Sequence, residues 1–100
     1  MFPERKYTLP KFLVEKLVKL PETRMGIHIL TVETKTGTKY PGVVVTNCNE
    51  IIGIYGFQDL PFNPADLTGL EVTHRTEAKN FDPSQMTYFK ENRSDQKGPL

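Results

Sequence analysis

The chain has 100 residues, 37% hydrophobic, 10% aromatic and 25% charged, with a net charge of +1 and one cysteine. That length suits one small domain with one core, and no apolar run approaches the roughly 20 residues that span a bilayer. A lone cysteine excludes an intrachain disulfide and a multi-cysteine zinc site, so a reducing, cytoplasmic setting is expected. The first residues, MFPERKYTLPKF, with charges of both signs and no apolar h-region, are not expected to be a secretory leader, and no membrane partner is expected.

Charge is distributed in blocks. Residues 1–39 carry eight Lys or Arg against four Glu, whereas residues 40–74 hold Glu50, Asp59, Asp66 and Glu71 with no Lys or Arg. Such blocks attract one another within a chain or between neighbours, and an acidic centre speaks against phosphate binding there.

Near the start, Thr8 is a candidate N-cap and Pro10 sits where a first helical turn tolerates it. The spacing predicts an amphipathic helix over 8–20. Leu9, Phe12, Leu13, Val14, Leu17, Val18 and Leu20 sweep a wide apolar arc, Lys11, Glu15, Lys16 and Lys19 share the other side, and Pro21 ends the element. Next comes an alternating strand, IHILTVETK, and a turn at Thr36-Gly37-Thr38. Pro41-Gly42 then interrupts the following strand, because proline donates no hydrogen bond and glycine permits a bulge or sharp bend.

Residues 37–57 read as the hairpin around which the rest is organised. With a turn centred on Cys48 and Asn49, flanked by Asn47 and Glu50, Val45 faces Ile52 and Val43 faces Ile54 on one side, while Val44 faces Gly53 and Thr46 faces Ile51 on the other. Gly42 then falls opposite Tyr55, and Tyr40 opposite Phe57. Both faces of the ribbon are apolar, so each requires a cover.

After Phe57, Asn63-Pro64 caps a single helical turn, and Gly69 releases the chain into a short strand from Leu70 to Thr73. Asp82-Pro83 forms a second capped start, which predicts a short helix over 83–90 presenting Met86, Tyr88 and Phe89. Residues 91–100, without apolar periodicity, are expected to be disordered.

Gly37-Thr38-Lys39-Tyr40-Pro41-Gly42-Val43-Val44 resembles the G-x-x-Y-x-G-x-V segment of the first Sm motif. Over residues 8–56, the order helix, strand, bent strand, strand is similar to the Sm-like or Src-homology-type class of small barrels. The resemblance implies a strongly bent barrel with an N-terminal helix across one end, and a tendency to associate through strand edges. It does not imply RNA binding: Thr36 stands where the family carries an acidic residue or asparagine, and Cys48 and Ile52 stand where the RNA-binding loop places aspartate and asparagine.

No stretch carries a catalytic signature. His28 and His74 with Asp59, Asp66 or Glu71 lack metal-ligand spacing, and Cys48 has no cation within 40–74 to activate its thiol. Asn47, Asn49 and Glu50 are explained by turn chemistry, and Asp66 by its place in a helical first turn.

The expected protein is therefore mainly β, or α+β, with a barrel of about five strands in a domain of residues 1–80 and a tail of residues 81–100. Its expected role is that of a non-catalytic protein-interaction or self-assembly module without cofactor or metal. The partner is another protein or a further copy in a homo-oligomer, met through Ile51, Tyr55 and Phe57. The alternative is RNA or single-stranded nucleic acid, held through Lys16, Lys19, Lys39 and Tyr40 on the basic N-terminal face.

Overall fold

A computed structural model describes residues 7–89. Along the chain, β1 (Tyr7–Thr8), α1 (Lys11–Leu17), β2 (Ile27–Thr34), β3 (Lys39–Thr46) and β4 (Glu50–Tyr55) precede a 3-10 turn at Pro64–Asp66. Then follow β5 (Leu67–Val72), α2 (Arg75–Ala78), a second 3-10 turn at Pro83–Gln85 and β6 (Met86–Tyr88). Among the described residues the strands form one antiparallel sheet in the order β1-β4-β3-β2-β5, with β6 also paired to β4. It curls into a half-barrel: β5 ends one side, and β1 and β6 lie in succession along the outer edge of β4.

The curl comes from three irregularities. Leu30 pairs with Val43 but Val32 with Tyr40, so Pro41-Gly42 contributes the extra residue expected there, and Gly42 takes a left-handed φ of 77°. A second shift lies between Glu33 and Thr34, where β5 carries Thr68 in excess; its hydroxyl donates to the Glu33 carbonyl at 3.2 Å. The third lies in the central hairpin. Val43 pairs with Ile54 and Val44 with Gly53 as expected, but Val45 pairs with Ile51 and Thr46 with Glu50, leaving Ile52 as the bulged residue.

That last shift corrects the predicted register. The turn is formed by Asn47 and Cys48, both with left-handed φ, and the Asn49 amide donates to the Thr46 carbonyl at 3.2 Å. It thus sits one residue earlier than the polar cluster suggests. A one-residue slip sends side chains to the opposite face. Ile51 consequently enters the main core, and Ile52 joins the apolar cluster on the other side of the sheet.

The core lies inside the curl, built from Leu30, Val32, Val43, Val45, Ile51, Ile54, Leu67 and Leu70 of the strands. Leu9, Leu13 and Leu17 close it from the N-terminal segment. The helix is shorter than the predicted 8–20: it spans Lys11–Leu17, and Tyr7–Thr8 is instead the strand β1, paired with Ile51 and Glu50. Its buried stripe is also narrower than the predicted arc, because Phe12 and Val18 are exposed.

The other sheet face is covered by the chain's own C-terminal portion. Ile29 and Val44 are buried there with Ala78, against Ile27, Ile52, Phe81 and Met86. Of the residues predicted as a helix over 83–90, those described form one 3-10 turn and then β6, whose Met86, Thr87 and Tyr88 pair with Tyr55, Ile54 and Gly53. Strand pairing wins because β4 offers an unpaired edge beyond β1, which a short amphipathic helix would leave unsatisfied. Residues expected to be disordered, 91–100, lie outside the described residues.

Candidate functional site

Two apolar faces thus acquire two covers, which changes what remains for a partner. Of the three residues proposed from sequence as an interaction surface, Ile51 is 2% exposed and belongs to the core, so it cannot contact another molecule. Tyr55 is half-buried, with the Phe81 ring at 4.8 Å in an edge-on arrangement. Phe57 alone is substantially exposed, at 43%.

Phe57 does not stand alone. Its ring lies 5.8 Å from Tyr40, which in turn lies 5.0 Å from Phe62. Tyr40 arrives from β3 just before the Pro41-Gly42 bulge. Phe57 follows β4 directly after Gly56, whose left-handed φ of 84° turns the chain, and Phe62 precedes the Asn63-capped turn. Tyr7, Tyr40, Leu60 and Phe62 are all partly buried and packed on the main core, so they form its rim.

Phe62 joins this rim to an open groove of about 680 Å³ lined also by Tyr7, Leu9, Pro10, Leu60 and Pro64. The groove wall is held in place by polar contacts. Tyr7 Oη donates to Asp59 Oδ1 at 3.1 Å, the Leu60 amide donates to the same oxygen at 2.7 Å, and Asn63 Oδ1 accepts from the Ala65 amide at 3.0 Å. Rigid aromatic and proline side chains around a groove present contact area at low conformational cost.

The residues of the nucleic-acid alternative do not share one surface. Lys39 and Tyr40 are successive in β3 and point to opposite faces. Lys16 and Lys39 line a small pocket of about 190 Å³, but Glu33 and Glu71 line it too, so no net positive potential builds there. Lys16 Nζ donates to the Leu70 carbonyl at 3.1 Å, and Tyr40 belongs to the aromatic rim. Lys19 lies beyond α1 on the exposed surface.

Both histidines have local structural partners. His28 is buried, with Nε2 3.3 Å from the Leu20 carbonyl, and His74 Nδ1 accepts from the Thr76 amide at 3.2 Å to cap α2. Cys48 is half-buried in the hairpin turn against the main core. Asp66 pairs with Lys35 at 3.3 Å, while Asp59 is engaged by Tyr7 and Leu60.

Comparison with known proteins supplies no relative: no protein-family model matches the chain, and neither a curated protein nor a solved structure does. Sequence reasoning missed Phe62, Leu60 and the groove. The signal available was the cluster Phe57, Leu60 and Phe62 within six residues of an otherwise polar connection, which a local reading assigns to no strand or helix.

Proposed function

We propose that this chain is a non-catalytic protein-interaction module, a small barrel of the Sm-like or Src-homology type, that binds another protein through the rim formed by Tyr40, Phe57 and Phe62 and the groove beside it. The observation that carries the reading is the uneven covering of the apolar surface. Among the described residues the outer sheet face is closed by Ala78, Phe81 and Met86, whereas Phe57 is 43% exposed and the groove beside the rim is open. The Gly42 bend and the half-barrel support the small-barrel reading. The lone cysteine and the absence, among the described residues, of a helix long and apolar enough to cross a membrane are compatible with a cytoplasmic setting.

Affinity capture with wild type and with Phe57→Ser tests it. Phe57 is exposed, so its replacement leaves the core intact. The expected result is a protein retained by wild type and by a Glu77→Gln control on α2, and lost with Phe57→Ser. Identical captured sets for all three baits would contradict it. Light scattering of the purified chain separates a second copy from a different protein as the occupant.

Nucleic acid remains the second reading only through Lys19 and Lys39. Binding by that route weakens steeply with salt and on charge reversal at both positions. Equal binding of an oligonucleotide by wild type and the Lys19→Glu/Lys39→Glu variant would remove it.

A further inference from the structure

Among the described residues, the half-barrel leaves one side of its sheet without a strand partner. Along the outer side of β4, β1 takes Ile51 and Glu50 and β6 takes Gly53 to Tyr55, and the Phe89 amide donates to the Ile52 carbonyl at 2.9 Å between them. β5 terminates the other side, with β2 as its only strand neighbour among the described residues.

The register shows which groups of β5 point outward. Gly69 pairs with Glu33 and Glu71 with Thr31, and the Thr73 amide donates to the Ile29 carbonyl at 2.7 Å, so the odd-numbered residues exchange hydrogen bonds with β2. Leu70 and Val72 are the non-bonded pairs, and their amides and carbonyls face away from the sheet. These are the groups a further strand would use.

One of them is already occupied. Lys16 sits in the last turn of α1, whose Leu13 and Leu17 are buried in the core alongside Leu67 and Leu70. From there its ammonium crosses 54 positions of sequence to reach the outward carbonyl of Leu70 at 3.1 Å. The bulge at Thr68 shortens the regular edge from the other end. Lysines and bulges on edge strands are the devices by which sheets resist pairing with other chains.

We propose that Lys16 is a gatekeeper that keeps β5 from pairing with β5 of a second copy of this chain. The second copy is the relevant competitor because every molecule carries the same edge, and two identical edges pair antiparallel about a two-fold axis with all outward groups satisfied. Such pairing displaces Lys16 from Leu70 in both copies and brings two ammonium groups to one junction, where each loses water without gaining an acceptor. A neutral side chain at this position removes both costs.

Sedimentation of wild type, Lys16→Met and Lys16→Arg over a wide concentration range tests the assignment, with amide exchange followed at Leu70 and Val72. Lys16 is exposed, so all three proteins should fold, which thermal melts verify. Lys16→Met is expected to self-associate at least tenfold more tightly than wild type, with exchange at Leu70 and Val72 slowing as concentration rises. Lys16→Arg, which keeps a cationic donor, should follow wild type. The proposal is overturned if Lys16→Met associates no more than wild type, if its association leaves those two amides unprotected, or if wild type already protects them through association.

Discussion

Thr23 shows how one side chain can complete a sheet. It is 2% exposed, its hydroxyl accepts from the Ile29 amide at 3.0 Å, and it donates to the Thr73 carbonyl at 2.9 Å, so it is inserted where β2 and the end of β5 would otherwise exchange their last bond. Thr23→Val keeps the shape but leaves a buried N–H and C=O without partners, which costs about 1–3 kcal/mol. Chemical denaturation should show that loss, and Thr23→Ser should recover most of it. Gly53 makes a different demand. A Cβ there would lie 2.7 Å from Tyr88 Cδ1 and 2.9 Å from the Thr87 carbonyl oxygen, because β6 lies directly over this position. Gly53→Ala is therefore expected to destabilise by about 1–3 kcal/mol through overpacking, and to speed amide exchange in β6 before the rest of the sheet. Uniform exchange rates across the sheet would argue against that placement.

At the scale of elements, the segments with strong local chemistry were the legible ones. The alternating pattern of β2, the Pro41-Gly42 bulge, the Asn63-capped turn and the Asp82-capped turn could all be read from residue types with fixed backbone preferences. The hairpin register and the outer cover could not. Asn47, Cys48 and Asn49 permit more than one turn position, and nothing local decides that Ile52 rather than Ile51 is the bulged residue. β6 has three residues and exists because β4 has an open edge, a fact located more than thirty positions away. The candidate site was legible only in Phe57 and Tyr40, since Phe62 and the groove depend on how an irregular connection folds back.

The second capped turn also carries the element-scale pH prediction. Asp82 Oδ1 accepts from the Ser84 amide at 3.0 Å, and that hydrogen bond, followed by one from the Ser84 side chain, holds the carboxyl below its ordinary value of 3.8. A carboxyl lowered on folding stabilises the fold above its unfolded pKa, and that contribution is lost as pH falls through the folded one. Wild type is expected to melt above Asp82→Ala at neutral pH, with the gap narrowing as pH drops below 3.8. A gap independent of pH would show that the carboxylate's charge contributes nothing.

At the scale of the whole molecule, the chain uses its own segments as covers almost everywhere. α1 closes the interior, β1 and β6 share one sheet edge, α2 and Phe81 close the outer face, and Lys16 guards β5. Among the described residues Phe12, Val18, Met25, Phe57 and Tyr88 are the large apolar side chains left exposed. Phe57 is the one that joins other rings, Tyr40 and through it Phe62, beside an open groove, within a stretch that carries no Lys or Arg between residues 40 and 74. The Asp59 carboxylate on the groove wall favours partners with a cationic residue beside an apolar anchor, and it gives their association a salt dependence opposite in origin to that of nucleic acid. Raising ionic strength should slow association with the captured partner while leaving the apolar contact in place.

Hydrogen exchange of the chain with its captured partner tests directly whether the protein meets another protein at this rim. Slowed exchange is expected at residues 7–10, 40 and 57–66, with residues 75–88 unchanged. Protection confined to 75–88 or to β5, or no change anywhere on saturation with the partner, would contradict it.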